Sequence, residues 1–342
     1  MTQQTVFPRW RGFNLLGMFC SQQSPINRGR APGYFDEEDF RMIADFGFDF
    51  VRLPLSYRVW GGGDDPFRID EAKLAPLDQA VAFGEKYGLH VDLCMHRIPG
   101  YCINQDETER LNLWTDDEAL DAAKAHWTAI ARRYVGVPSS RLSFNVVNEV
   151  SGSVYLRQYA RVATAIIDAV REISPDRLFI LDGLNAGDIP PVDQMMLLEN
   201  CGYSCRGYAP RGVTHYKTHI TAYDDLLPVW PGAVQDEYNG KRTVWDAEKL
   251  DRYYGMFAAL AENFHVGVHC GEMGCANRTP HSVALAWMES MMQTLKAHNI
   301  GYALWNFRGA FGVMDSDRDD AEYINCGGHR LDRKMMQLLQ RY

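Results

Sequence analysis

The feature that most constrains this chain is an alternation. Eight short β-rich runs are each followed by a longer segment of helical period. The runs are RGFNLL from Arg11, FDFVRLPL from Phe48, LHVDLCMH from Leu89, RLSFNVVNE from Arg141, RLFILDG from Arg177, YSCRGYAP from Tyr203, HVGVHCGEM from His265 and GYALWNF from Gly301. Helical segments near 36–46, 70–87, 116–134, 153–173, 190–199, 246–264, 281–298 and 330–341 follow them in turn. Strands spaced this widely pair in parallel, because a parallel pair needs a crossover of a dozen or more residues and the helix supplies it. Gly47, Gly88, Gly301 and the Ser174–Arg177 stretch SPDR punctuate the returns to the sheet. Eight strand–helix units with no repeat, low-complexity tract or linker predict one α/β domain over residues 1–342. Its fold is a single (β/α)8 TIM barrel with long loops on the C-terminal face, preferred to a doubly wound sheet.

The length of 342 residues suits such a barrel, and 46% hydrophobic with 23% charged residues is ordinary globular material. A net charge of −9 speaks against nucleic acid or an anionic membrane as partner, since both select clustered Lys and Arg. The start MTQQTVFPRW has no basic segment leading into an apolar run, and no apolar stretch reaches spanning length. The expected location is cytoplasmic as the chain stands, or secreted if a signal peptide was removed. Eight cysteines are too few for a disulfide scaffold. Cys201/Cys205 and Cys270/Cys275 lack the spacing of a zinc site, so buried reduced thiols are expected.

The stretch LSFNVVNEV, residues 142–150, reads as a buried strand until Asn148 and Glu149. A charge at the end of an apolar strand costs several kcal/mol unless it is paired or used. Other polar or aromatic exceptions stand at the same end of their strands: Arg52, His96, Tyr208, Glu272 and Trp305. On a barrel all would line one mouth, the face where such folds build active sites. Taken singly, Arg52 reads as a structural ion pair, His96 as a core histidine and Trp305 as core; jointly they point to a site. Glu149 and Glu272 would then face each other across the opening, and two carboxylates flanking a cleft are the machinery of glycoside hydrolysis.

With these residues placed, VRLP, MHRIPGY, NVVNE, GYAPRGVTH, HCGEMG and ALWNFRGAFGVMD resemble glycoside hydrolase family five, the cellulase-type family of retaining β-glycosidases. The resemblance runs from Gly12 to the last helix. It implies Glu149 as acid/base and Glu272 as nucleophile in a double displacement through a covalent glycosyl-enzyme, with no cofactor and no metal. It further implies that Asn148 bonds the sugar 2-hydroxyl, Arg52 keeps Glu272 ionised, His96 binds a sugar hydroxyl, Tyr208 bonds Glu272, and Trp305 stacks beneath the ring. The substrate is then an oligo- or polysaccharide, β-linked glucan first. An exo-acting β-glucosidase, a β-mannan or β-mannoside hydrolase and, remotely, a silent sugar-binding protein are the alternatives.

One position departs from that pattern. Where the family usually has His, two residues before Tyr208, this chain has Arg206. A cation beside Glu149 would lower the pKa that a general acid needs raised. Arg206 is therefore expected to pair with another carboxylate, Asp182 being the candidate, and to brace Tyr208. Endo or exo action stays open: the long connections after strands one, six and eight could wall a pocket, while Trp60, Trp114 and Trp230 could line an open cleft.

Overall fold

The computed structural model describes residues 7–19, 33–62, 64–104, 108–191, 198–218, 226–235 and 241–342. Its strands are β1 (Arg11–Asn14), β2 (Phe50–Ser56), β3 (His90–Ile98), β4 (Leu142–Asn145), β5 (Leu178–Asp182), β6 (Cys201–Gly207), β7 (Val268–Met273) and β8 (Gly301–Leu304). Every neighbouring pair is parallel, and β8 pairs with β1, so the sheet closes on itself. This is the (β/α)8 barrel expected from the alternation. Helices Glu37–Asp45, Ala75–Tyr87, Asp117–Arg133, Leu156–Arg171, Ala247–Phe264, His281–Ala297 and Arg333–Arg341 surround it.

Because side chains alternate along a strand, one set faces the helices and the other the barrel axis. The outward set is aliphatic: Val51, Leu53 and Leu55 on β2, Val91, Leu93 and Met95 on β3, all buried. Trp127 and Trp287 belong to this interlayer packing, donating their indole N–H to Val146 O and Ala209 O. The inward set is unusual. Barrels of this kind are commonly filled by branched aliphatic layers, whereas here the axis holds Arg52, Asp92, Asn145, Asp182 and Arg206, all essentially inaccessible.

An aromatic plug closes the other end. Trp10 stacks on His90 with ring centroids 3.9 Å apart, Phe50 lies 4.5 Å from His269, and Phe7 packs beside Trp10. Gly202 and Gly267 make room for Phe7: a Cβ on Gly202 would lie 2.0 Å from its Cζ.

Several boundaries differ from the sequence expectation. The fourth strand stops at Asn145, so Asn148 and Glu149 sit in the turn beyond it; Glu149 takes φ 45°, incompatible with a strand. The expected start of the second helix, residues 71–74, is a 3₁₀ turn capped by Asp70. The expected start of the last helix belongs to the hairpin pairing Tyr323–Cys326 with His329–Asp332. Residues 192–197 of the expected helix at 190–199 lie outside the described residues. The long connection at 211–245 contains a second antiparallel pair, Gly232–Gln235 with Arg242–Trp245.

The plug predicts a coupled stability effect. Phe7→Ala should cost about 3 kcal/mol for the aromatic void, and Gly202→Ala about 1–3 kcal/mol for overpacking. The double variant should be less destabilised than the sum of the two, because the new methyl occupies space that the ring vacated. Urea unfolding of the four proteins checks it, and strict additivity would mean that the two positions do not touch.

Candidate active site

The site grows from two buried guanidinium groups, one on β2 and one on β6. Arg52, 1% exposed, donates from Nη1 to Glu272 Oε1 at 2.7 Å and Asn14 Oδ1 at 2.9 Å. Its Nη2 reaches Asn145 Oδ1 at 2.9 Å and Asn148 Oδ1 at 2.7 Å. Arg206, 0% exposed, donates from Nη2 to Asp182 Oδ2 and to Asn148 Oδ1 at 2.9 Å, from Nη1 to Ser204 Oγ at 2.9 Å, and from Nε to Glu149 Oε1 at 3.0 Å. The same Nη2 lies 3.5 Å from Glu272 Oε1. Both candidate carboxylates therefore touch one guanidinium.

Asn148 joins the two arginines. Its Oδ1 accepts from both, which fixes the amide orientation and leaves Nδ2 to donate to His96 Nε2 at 3.2 Å. The same Nε2 lies 3.2 Å from Asn104 Oδ1, and Nδ1 has no partner among the described residues. Burial, followed by the charges of Arg52 and Arg206, pushes the His96 pKa well below its ordinary value, so the ring is neutral. Phe19 and Trp305 flank it at 3.9 and 5.6 Å between centroids.

Glu272 is aimed by an irregularity in β7. The pairing to β6 runs Cys270 with Cys205 and then Glu272 with Arg206, so Gly271 is an extra residue. A bulge of this kind turns the following side chain. The backbone of Gly271 is satisfied by side chains, its amide donating to Ser204 Oγ at 3.1 Å and its carbonyl accepting Asn14 Nδ2 at 2.9 Å. Tyr208 donates its hydroxyl to Glu272 Oε2 at 3.1 Å. Its ring rests edge-on against His215 at 4.9 Å, and His215 in turn is bonded to Thr214 Oγ1 at 2.9 Å.

Glu149 is held through its backbone. Its amide donates to Asp182 Oδ2 at 2.7 Å and its carbonyl accepts the Tyr101 hydroxyl at 2.6 Å. These two bonds support the left-handed φ, a conformation costly for a side chain of this kind. Its side chain is 16% exposed and Glu272 4%. Burial first, then the charge of Glu272, raises the Glu149 pKa to about 7, against the lowering pull of Arg206 and Arg211. A carboxyl at that value can hold a proton near neutrality, whereas an ordinary glutamate cannot.

The structure thus brings Arg52, His96, Asn148, Glu149, Arg206, Tyr208, Glu272 and Trp305 to one mouth. Arg206 pairs with Asp182, as the sequence suggested, but the expectation that it would avoid Glu149 is corrected. Asp182 Oδ2 binds the Arg206 guanidinium and the Glu149 amide together, which draws that guanidinium onto the glutamate. The tryptophan-lined cleft is also corrected. Trp60 is buried against His126, Trp114 packs edge-on with Tyr101 and Tyr159, and Trp230 bonds Ser290.

Sequence reasoning missed Asn14, Asp92 and Asn145. The signal was available in part: LHVDLCMH places Asp92, Cys94 and His96 on one face of a strand, and a carboxylate inside an apolar strand needs a buried partner. Asp92 accepts Ser143 Oγ at 2.8 Å and lies 3.8 Å from Arg52 Nε, with its pKa raised by burial to about 7. Among the described residues no group of His, Cys, Asp and Glu could hold a metal ion, and the described cysteines are free thiols. No helix among them is long and apolar enough to cross a membrane.

Comparison with known proteins agrees with this geometry. The family model described as cellulase (glycosyl hydrolase family 5) matches residues 10–310. Cellodextrinase A of Ruminococcus flavefaciens is 26% identical over 85% of this chain and 83% of its own length. Endoglucanase C of Acetivibrio thermocellus is 25% identical over 90% of this chain and 94% of its own. A solved structure described as a glycoside hydrolase superposes with a TM-score of 0.85 at 32% identity, covering 99% of both chains. A family model spanning most of the chain and a relative of this identity and coverage settle the assignment: the chain belongs to glycosyl hydrolase family 5, the cellulase family, and is a retaining β-glycoside hydrolase.

Proposed function

We propose that the substrate is a β-linked glucan or its oligosaccharides, that Glu272 is the nucleophile, and that Glu149 is the acid/base. One observation carries the division of labour: the two carboxyls sit in opposed environments. Glu272 accepts from two donors, the Arg52 guanidinium and the Tyr208 hydroxyl. Glu149 is raised to about 7 by burial and by Glu272. A pair whose environments separate in this way assigns the roles of base-like nucleophile and proton donor.

In the first step Glu272 attacks the anomeric carbon, the bond to the leaving oxygen breaks, and the proton of Glu149 passes to that oxygen. In the second, Glu149 takes a proton from water as the water oxygen displaces Glu272 from the sugar. The net change is hydrolysis with configuration kept. The second hydrogen of Asn148 Nδ2 is free for a sugar 2-hydroxyl, a contact that strengthens as the ring gains positive charge. Neutral His96 offers a ring nitrogen, and Trp305 beside it supplies a stacking face.

Among the described residues a single platform of this kind, with Trp60 and Trp114 withdrawn into the core, favours short chains over an extended polymer. The names of the two relatives, a cellodextrinase and an endoglucanase, support a glucan. A panel of aryl β-glucoside, aryl β-mannoside, cellodextrins and soluble β-glucan, with product lengths read out, tests this reading. Faster release from mannoside than from glucoside would replace glucan by mannan.

Three outcomes are expected. Glu272→Ala abolishes turnover, and azide restores it with an inverted glycosyl azide as product. Glu149→Ala loses roughly a hundredfold to ten-thousandfold on natural substrates and far less on aryl glycosides with good leaving groups, since acid assistance matters most for a poor leaving group. The reverse pattern would exchange the roles. The third concerns stability. A carboxyl raised from 4.5 to about 7 on folding weakens the fold progressively as pH rises through that interval, because the unfolded chain releases its proton first. Glu149→Gln should therefore raise the melting temperature, and by more in mildly alkaline than in mildly acidic buffer. An equal gain at both would show that Glu149 titrates normally.

A further inference from the structure

Arg206 poses a chemical difficulty. It is a permanent cation in contact with the residue proposed to donate a proton, and cations favour the carboxylate form. Two features make the contact workable. The first is the salt bridge to Asp182, which is wholly buried and also accepts from Asn145 Nδ2 at 3.0 Å and from the Glu149 amide. The bridge presents to Glu149 a nearly neutral dipole in place of a bare charge. The second is directional. Only Nε reaches Glu149, and it reaches only Oε1. An oxygen accepting from a guanidinium is the carbonyl-like oxygen of a protonated carboxyl, so the proton belongs on Oε2.

We infer that Arg206, locked by Asp182, is a positioning residue that reserves Oε1 of Glu149 as acceptor and so confines the transferable proton to Oε2. This rests on the acid/base assignment of Glu149 made above. The lock is sterically tight: Gly187, at φ +85°, lies so close that a Cβ there would sit 2.5 Å from Arg206 Cγ, and Tyr254 bonds the Arg206 carbonyl at 2.9 Å. Ser204 Oγ and Asn148 Oδ1 hold the remaining edges of the guanidinium. A group fixed at every edge cannot swing onto Oε2. The charged and titratable groups around Glu149 are Glu272 on β7, Arg206 on β6, Asp182 on β5, Arg211 in the loop after β6, Tyr101 beyond β3 and Tyr208 after β6. Of these, Arg206 is the one in side-chain hydrogen-bond contact with the Glu149 carboxyl.

The test reads the proton directly. The chain is labelled with carbon-13 at glutamate carboxyls, and the Glu149 resonance is assigned by its loss in Glu149→Gln. It is then titrated in wild type, Asp182→Asn and Arg206→Lys. Asp182→Asn unmasks the guanidinium, so Glu149 should titrate about one unit lower, a tenfold loss of proton affinity. Arg206→Lys keeps the buried charge pair but loses Nε, so Glu149 should titrate higher. In the same variant, kcat/KM for substrates with poor leaving groups should fall about tenfold while activated aryl β-glycosides stay within about twofold, the signature of a misplaced acid proton. Arg206→Lys decides the matter alone if Asp182→Asn does not fold. An unmoved Glu149 titration in the lysine variant, or equal losses on both substrate kinds, overturns the inference. Because the titration needs no turnover, it stays separate from failure of the functional reading, which would show as a wild type inactive on every β-glycoside.

Discussion

Two arginines inside a closed barrel are the condition on which the rest of the site depends. Removing a guanidinium from water costs several kcal/mol, recovered only if its donors are matched and its charge answered. Arg52 and Arg206 face four carboxyls: Asp92, Asp182, Glu149 and Glu272. Burial lifts Asp92 and Glu149 to about 7, and Asp182 and Glu272 lie in direct contact with the two guanidiniums. Asn14, Asn145 and Asn148 match donors that the carboxylates do not reach.

Asn148 makes these charges one unit. Its single oxygen accepts from both guanidiniums, and its nitrogen meets His96 Nε2. Substitutions within such a network are not independent, since removing one partner leaves buried donors unpaired on two others. Ser143 extends the network downward, bonding Asp92 on one side and His90 on the other, toward the aromatic plug. Site and base of the barrel are therefore linked through hydrogen bonds and not through packing alone.

The alternation of eight strands and helices was legible because period and length are local properties of sequence. Glu149, Glu272, His96 and Tyr208 were legible because each breaks an apolar run towards the same end of its strand, whereas Arg52 lies inside β2, in register with Asp92. What was not legible depended on distance across the barrel. Asn14 and Asn145 read as ordinary strand residues until Arg52 is seen between them. Asp92 is the third residue of β3, where only the register with β2 shows that it faces Arg52. The fate of Trp60 and Trp114 was undecidable locally, because an aromatic residue in a loop has the same sequence signature whether it folds inward or outward. Arg206 was half legible: its partner Asp182 could be named, but the backbone amide of Glu149 that brings the two together could not.

The extra residue in β7 has a consequence for how such a barrel can vary. Parallel pairing ties all eight strands into one register, so sliding any strand by a residue would turn its inward side chains outward. Gly271 frees Glu272 from that rule: pairing to β6 resumes beyond the bulge while the carboxylate is advanced by one position. The slack is confined to a single peptide whose amide and carbonyl are held by Ser204 and Asn14. Depth of the carboxylate in the mouth is thereby separable from the registration of the wall. A lineage could adjust that depth, and with it the sugar ring it reaches, without disturbing the other seven strands.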